Sequence, residues 1–176
     1  VVELEVERVI PDAVSEAYVV VLREKNGRKL LPIWIRRLEA ESIAEAIQHV
    51  QHKRPLTHDL CKSIIVTMGG TLQAVHITRV QDDTYYAQLV VKMTNDAALV
   101  HIDSRPSDSI AIAVRMNAPI LADESLLTAV DVGDGAGPTI AFSTGAPTEP
   151  GAELSVEQLK AHLQKLRPED FGKFSP

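Results

Sequence analysis

The chain has a single cysteine, Cys61, in 176 residues, so no internal disulfide can form, and nothing in the sequence resembles a Cys/His zinc cluster. That scarcity points to a reducing compartment. No apolar run approaches the roughly 20 residues of a membrane-spanning helix. Val1 to Ile10 alternates apolar with charged residues instead of building a signal-peptide core. The expectation is a cytoplasmic protein with no membrane partner. Positive charge is also in deficit, with 18 Lys and Arg against 24 Asp and Glu and a net charge of -6. Such a balance argues against a tight grip on nucleic acid through bulk charge, because that binding rests on cations displacing counterions from phosphates. A Gly-rich phosphate loop and a Ser nucleophile elbow are both missing. What remains is an ordinary globular composition, 45% hydrophobic and 24% charged, long enough for one domain with an appendage.

Apolar and acidic residues alternate over Val2 to Glu7, the period of a half-buried strand. Ala17 to Leu22 and Leu30 to Ile35 read as strands joined through Asn26-Gly27, a pair suited to a tight hairpin turn. From Glu39 the period lengthens. Ala40, Ile43, Ala44, Ile47 and Val50 predict an amphipathic helix to about Gln51. A second helix is expected after Thr57 as N-cap, with Leu60, Ile64 and Met68 as its inward stripe and Gly69-Gly70 as its stop. Leu72 to Val80 and Tyr85 to Met93 predict another strand pair, extended by Ala98 to Ile102. A third helix is expected from Ser107 as N-cap to Asn117, then a short extended run at Pro119 to Ala122 and a short helix capped by Asp123. The order predicts an α+β fold, a mainly antiparallel sheet with three or four packed helices.

Three segments follow: a domain over 1–130, a flexible linker over 131–153 rich in Gly, Pro, Ala and Thr, and a C-terminal helix and tail over 154–176. Val156, Leu159, Leu163 and Leu166 give that last helix an apolar stripe that needs a docking surface. The charge is uneven. Residues 131–176 hold seven acids and four bases, whereas 23–37 hold six bases (Arg23, Lys25, Arg28, Lys29, Arg36, Arg37) and one acid. A local basic edge in an acidic chain permits a transient nucleic-acid substrate better than a stable complex.

Two segments share a design. Arg54-Pro55-Leu56-Thr57-His58-Asp59 and Arg105-Pro106-Ser107-Asp108 each place Arg-Pro before a hydroxyl and an acid in the first helical turn. Proline holds the preceding Arg extended and aims it across the helix entrance, where free amides favour anions. A structural reading is equally physical: Thr57 and Ser107 satisfy amides, while Asp59 and Asp108 offset the helix dipole and pair with Arg. The acids would repel a phosphate unless a metal lies between. Asp59, Asp103, Asp108 and Glu39 supply enough oxygen ligands for Mg²⁺ or Mn²⁺ if the fold gathers them. Arg54 and Arg105 would then clamp the phosphate and His58 would carry a proton. Asp103 and Arg105, two residues apart, are expected on the same side of an extended chain.

The other candidates are read as structural: His49 and His52 on the solvated face of the first helix, His76 and His101 within strands, Cys61 as a packed thiol. Trp34 reads as a core or interface anchor, with base stacking as the alternative beside the basic hairpin.

Leu31-Pro32-Ile33-Trp34-Ile35, Glu39-Ala40, Arg54 to Leu60, Asp103 to Ala111 and Ala118-Pro119-Ile120 together resemble the bifunctional nuclease domain, in the family's order across roughly residues 1 to 130. Leu166 to Phe171 resembles the short tail of some bacterial members. The resemblance implies a compact α+β domain that hydrolyses phosphodiesters in DNA and RNA. The family has Gly where this chain has Arg36, followed by Arg37. Either Arg36 blocks a close approach or it adds positive charge beside the site. The expected catalytic set is His58, Asp59, Asp103 and Asp108. Arg54, Arg105, Thr57, Ser107, Arg36 and Arg37 are expected on substrate, with Asp59, Asp103, Asp108 and Glu39 on metal. The rival expectation is a non-catalytic oligomeric or ligand-binding module using the same motifs structurally. A homo-oligomer is expected in either case.

Overall fold

A computed structural model describes residues 1–12, 15–94 and 98–129. Its strands are β1 (Val2–Pro11), β2 (Tyr18–Glu24), β3 (Lys29–Ile35), β4 (Gly70–Gln81), β5 (Thr84–Met93), β6 (Leu99–Ser104), β7 (Ile120–Ala122) and β8 (Thr128–Ala129). Its helices are α1 (Arg37–Ile47), α2 (Thr57–Thr67) and α3 (Pro106–Met116). The strands form one sheet in the order β6-β5-β4-β7-β1-β2-β3-β8. Every pairing is antiparallel except β4 with β7. This is the expected α+β architecture. The linker and C-terminal helix expected over 131–176 lie outside the described residues.

Alternation decides the layers. Val20, Leu22, Leu31, Ile33, Val75, Ile77, Leu89 and Val91 are buried in one cluster with Ala40 and Ile43 of α1 and Ile110 to Ala113 of α3. One sheet face is therefore the floor on which α1 and α3 pack. The opposite face has a smaller cluster of Val19, Val21 and Leu30. Gly69 ends α2 with φ +78°, a left-handed conformation that costs glycine little. A Cβ on Gly70 would come within 2.9 Å of the Ile65 carbonyl oxygen and of Val91, so glycine permits this close helix-to-sheet return.

Helix boundaries depart from the sequence reading in informative ways. α1 begins two residues earlier and ends at Ile47, so His49, at φ +53°, and His52 lie beyond the helix. His52 instead pairs with Glu45 at 3.2 Å. Leu56 and Arg105, not Thr57 and Ser107, occupy the N-cap positions of α2 and α3. Pro106 fills the first turn of α3, where its missing N–H has no cost. The stripe assigned inward on α2 faces out: Leu60, Ile64 and Met68 are 52%, 48% and 69% exposed. Cys61 and Ile65 pack against the core in their place. After Asp123 the chain makes only a three-residue 3-10 turn, Glu124–Leu126, before β8.

The basic hairpin is largely neutralised. Arg23 pairs with Glu5, Lys25 with Glu3 at 2.7 Å, Lys29 with Glu124 at 2.6 Å and Arg37 with Glu41 at 2.7 Å. The acidic face of β1 lies beside β2, so the charges alternate across the sheet instead of forming a basic edge. No helix among the described residues is long and apolar enough to cross a membrane.

Candidate active site

The two Arg-Pro segments end at neighbouring helix entrances. Arg105 is extended at φ -71° and ψ 148°, and its guanidinium folds back over the first turn of α3. Nε donates to Asp108 Oδ2 at 2.8 Å and Nη2 to Asp108 Oδ1 at 3.1 Å, a bidentate pair. Nη1 donates to Glu39 Oε1 of α1 at 2.9 Å. Three of the five N–H donors are thus used, and the side chain remains 60% exposed. Glu39 Oε2 is buried with no hydrogen-bond partner.

His58, in the first turn of α2, bridges the other two helices. Nε2 lies 3.1 Å from Asp108 Oδ1 and Nδ1 lies 2.8 Å from Ser42 Oγ of α1. Ser42 Oγ also accepts from Arg115 Nη2 at 3.1 Å, which turns the hydroxyl hydrogen toward Nδ1. The network thereby assigns the neutral tautomer with hydrogen on Nε2, donated to the Asp108 carboxylate. Partial burial works to raise the Asp108 pKa, but hydrogen bonds and charge from Arg105, with His58, outweigh it and hold the carboxyl below its ordinary range. Arg105 is correspondingly raised, chiefly by Asp108.

Arg115 is the hub beneath this site, with a side chain only 8% exposed. Nε donates to Asp59 Oδ1 at 2.7 Å, and Nη1 donates to the carbonyls of Ser42 at 3.1 Å and Ala111 at 3.0 Å. It therefore joins all three helices. Asp59 also accepts from the Leu56 N–H at 3.0 Å. Burial acts to raise its pKa, yet Arg115 and that amide pull it below the ordinary range.

Five of the residues expected at a site, Glu39, Thr57, His58, Arg105 and Asp108, line one open cleft of about 670 Å³, together with Ser42. A second cleft of about 380 Å³ shares Glu39 and Arg105 as its wall and is lined by Arg36, Ser107, Trp34 and Tyr85. Arg36 is exposed there and puts a cation on the rim. Arg54 and Asp59 belong to a third cleft of about 410 Å³. Arg37 is occupied by Glu41.

Asp103 pairs in register with Gln88, and alternation puts it on the sheet face opposite Ser104, whose Oγ meets Ser109 of α3. It points away from the helix entrances and from Arg105. Among the described residues no three His, Cys, Asp or Glu side chains gather to hold a metal. The four expected carboxylate ligands are thus dispersed over three places. Sequence reading missed Ser42 and Arg115. Arg115 had a signal, since it falls four residues after Ala111 on the buried face of α3.

Comparison with known proteins places this geometry in a family. A model of the bifunctional nuclease domain matches residues 20–133. An uncharacterized protein of Mycobacterium tuberculosis is 39% identical over 154 residues, which cover 87% of each chain. Bifunctional nuclease 1 of Arabidopsis thaliana is 32% identical over 118 residues, 66% of this chain and 36% of that protein. Bifunctional nuclease 2 of Oryza sativa subsp. japonica is 32% identical over 120 residues, 68% of this chain and 37% of that protein. The chain thus spans little more than a third of these plant relatives. The matched segment runs from β2 past β7 and takes in both Arg-Pro helix entrances, and the chain belongs to the bifunctional nuclease domain family.

Proposed function

We propose that the chain is a nuclease that hydrolyses phosphodiester bonds in DNA and RNA at the cleft lined by Ser42, His58, Arg105 and Asp108. The observation that carries this reading is His58, held between Ser42 at 2.8 Å and Asp108 at 3.1 Å beside an exposed Arg105. A base fixed by a carboxylate and coupled to a hydroxyl is the arrangement general-base catalysis needs. Both ring nitrogens are occupied, so His58 acts through Ser42. The hydroxyl passes its hydrogen to Nδ1 as it takes one from a water in the cleft. The resulting hydroxide bonds to phosphorus, the leaving ester oxygen departs with its bonding electron pair and takes up a proton from solvent, and the imidazolium returns its Nδ1 proton to solvent through Ser42. Asp108 stabilises the imidazolium formed. The two N–H donors of Arg105 not used by Asp108 and Glu39 are available to the phosphate oxygens.

Glu39 and Asp108 outnumber Arg105 at this wall, so a phosphate arriving there needs one more cation. We propose Mg²⁺ or Mn²⁺, held by Glu39 together with substrate oxygens. Magnesium sites built from one or two carboxylates plus phosphate are common, and the unsatisfied Glu39 Oε2 suits this role. Such an ion supplies charge neutralisation of the phosphate. Asp59 is assigned to holding Arg115, and Asp103 is given no part in the chemistry.

The test is cleavage of single- and double-stranded DNA and RNA by purified protein, with and without Mg²⁺ or Mn²⁺, beside His58→Ala and Asp108→Asn. Cleavage that survives both substitutions, or that fades with further purification, overturns the reading. The rival, a non-catalytic oligomeric module, draws support from the outward row Leu60, Ile64 and Met68. It requires that Leu60→Asp with Ile64→Asp dissociate an assembly in sedimentation equilibrium, and that no cleavage accompany the pure protein.

A further inference from the structure

We infer that β6 is the pairing edge of a symmetric dimer, in which two copies of the chain join β6 to β6 antiparallel with Ile102 on the two-fold axis and His101 of each copy opposite Asp103 of the other. The strand ends the sheet, and its outer row of N–H and C=O groups meets no other backbone among the described residues. A regular edge is a template for another chain, so natural sheets blunt their edges with bulges, proline or lysine. β6 has none of these. It pairs with β5 in unbroken register from Leu99 to Ser104, and none of its residues is Pro or Lys. Val100 and Ile102 lie opposite the buried Val91 and Leu89 on the helix side of the sheet, yet both are 42% exposed, so the helix layer stops short of this last strand. His101 and Asp103 alternate to the other face, and neither has a hydrogen-bond or ion-pair partner among the described residues.

Symmetry and charge select both the occupant and the register. When two identical strands pair antiparallel, the two-fold axis is perpendicular to the sheet, so each side chain meets one from the same face of the second copy. The axis must then pass through a residue and not between two. On Asp103 it would oppose two carboxylates, and His101 to Arg105. On His101 it would set Leu99 against Asp103, and on Val100 it would carry Asp103 past the end of the strand. On Ile102 it sets His101 against Asp103 twice, once on each side of the axis, and Ile102 against itself on the helix side, with Cβ atoms about 4.5–5.5 Å apart. The exposed apolar centre is covered, and both polar side chains gain a partner in the same step. The strand is thus complementary to itself, as an isologous interface requires. The helices of both copies stay on one face, and the two Arg105 entrances fall roughly 20 Å apart along the joined strands.

The test is the mass of the full chain in sedimentation equilibrium across the micromolar range. The parent is expected to form dimers, and Ile102→Lys, which sets two ammonium groups head to head at the axis, should weaken them by about tenfold or more. His101→Asp places carboxylate against carboxylate across the junction and should also weaken the dimer. His101→Asp combined with Asp103→His restores both pairs in reversed order and should recover the parent's mass. An unchanged far-ultraviolet circular dichroism spectrum shows that each variant is folded. The register is read by cross-linking with diamide in a Cys61→Ala background. Ile102→Cys should give a disulfide-linked dimer, whereas His101→Cys should not, because the two copies of that position are offset by two residues and lie beyond the Cα separation of about 7 Å that a disulfide can span. A parent that stays monomeric, or an oligomer that Ile102→Lys leaves intact, overturns the inference, and loss of the oligomer on Leu60→Asp with Ile64→Asp instead moves the contact to α2. Cross-linking through His101→Cys and not through Ile102→Cys overturns the register.

Discussion

His58 and Asp108 are fifty residues apart in the chain, yet Nε2 and Oδ1 meet at 3.1 Å because each sits in the first turn of its helix and the two helix entrances adjoin. The pair fixes the ring so that Nδ1 is left for Ser42. Removing the base should lower kcat by about 10²- to 10⁴-fold in His58→Ala, the usual contribution of a positioned acid or base. Asp108→Asn should lose most of that factor while KM changes little. Ser42→Ala should fall with them if the hydroxyl relays the proton, and Ser42→Thr should recover part of the rate. Steady-state kinetics on a single-stranded substrate give the comparison. A Ser42→Ala enzyme with wild-type kcat would remove the relay and leave His58 acting directly.

Arg115 supports the site from below, and its effect should be read in stability. It is a buried cation whose charge is met by Asp59 and three of whose other four N–H donors are met by Ser42 and Ala111. Breaking a buried pair from one side costs about 3–5 kcal/mol, and the partial exposure of Asp59 places this case at the low end. Arg115→Ala should therefore destabilise by about 3 kcal/mol, leaving three helices without their common donor. Asp59→Asn should cost less, since the amide oxygen still accepts from Nε. It should also retain cleavage within a few-fold, in contrast to Asp108→Asn. Urea unfolding of the three proteins, with matched kinetics, separates the structural carboxylate from the catalytic one.

Acid should weaken the fold through these same carboxylates. Asp59 and Asp108 both have folded-state pKa values below their ordinary ones. The stability they contribute is complete above the unfolded carboxyl value of about 4 and is lost as pH falls through the folded values. In that window the unfolded chain binds more protons, so stability rises with pH. The melting temperature should be flat from neutral pH to about 5 and fall below about 4. The fall should be shallower in Asp108→Asn. A profile that steepens in that variant would contradict the assignment.

Period was legible in the sequence, and facing was not. The hairpin at Asn26-Gly27, the strand pair either side of Asp82-Asp83 and the three helices follow from apolar spacing alone. The row Leu60, Ile64 and Met68 has helical spacing too, but Cys61 and Ile65 lie one step around the same helix and took the inner position. Both rows are apolar, so only the return at Gly69-Gly70, which turns Ile65 onto Val91, decides between them. At the site, the local signature Arg-Pro-hydroxyl-acid gave the helix entrances. It also gave the pairing of Asp108 with Arg105, three residues away, but not the partner of Asp59, which is Arg115, 56 residues further along the chain.

The facing of α2 has a measurable consequence. Ile64, 48% exposed, should tolerate Ile64→Ser within about 0.5 kcal/mol, the range of ordinary surface substitutions. Ile43 on α1 is wholly buried, and Ile43→Ala should cost about 2–5 kcal/mol through lost transfer energy and the cavity left behind. Equal losses in denaturant unfolding would mean that a partner covers α2 in solution, in which case the Ile64→Ser protein should also change mass in sedimentation.

Glu39 provides the test of the cation that does not depend on turnover. One of its oxygens is satisfied by Arg105 at 2.9 Å and the other is buried without a partner. In the presence of a non-hydrolysable phosphodiester, Mg²⁺ should raise the melting temperature, because a ligand that binds only the folded state stabilises it by mass action. Glu39→Gln keeps an oxygen to accept from Arg105 but removes the charge, and should abolish that Mg²⁺-dependent shift while leaving the shift caused by the phosphodiester alone. Calcium, larger and satisfied by more ligands than this wall offers, should shift the transition less than Mg²⁺. If Glu39→Gln responded to Mg²⁺ as the parent does, the cation would sit elsewhere.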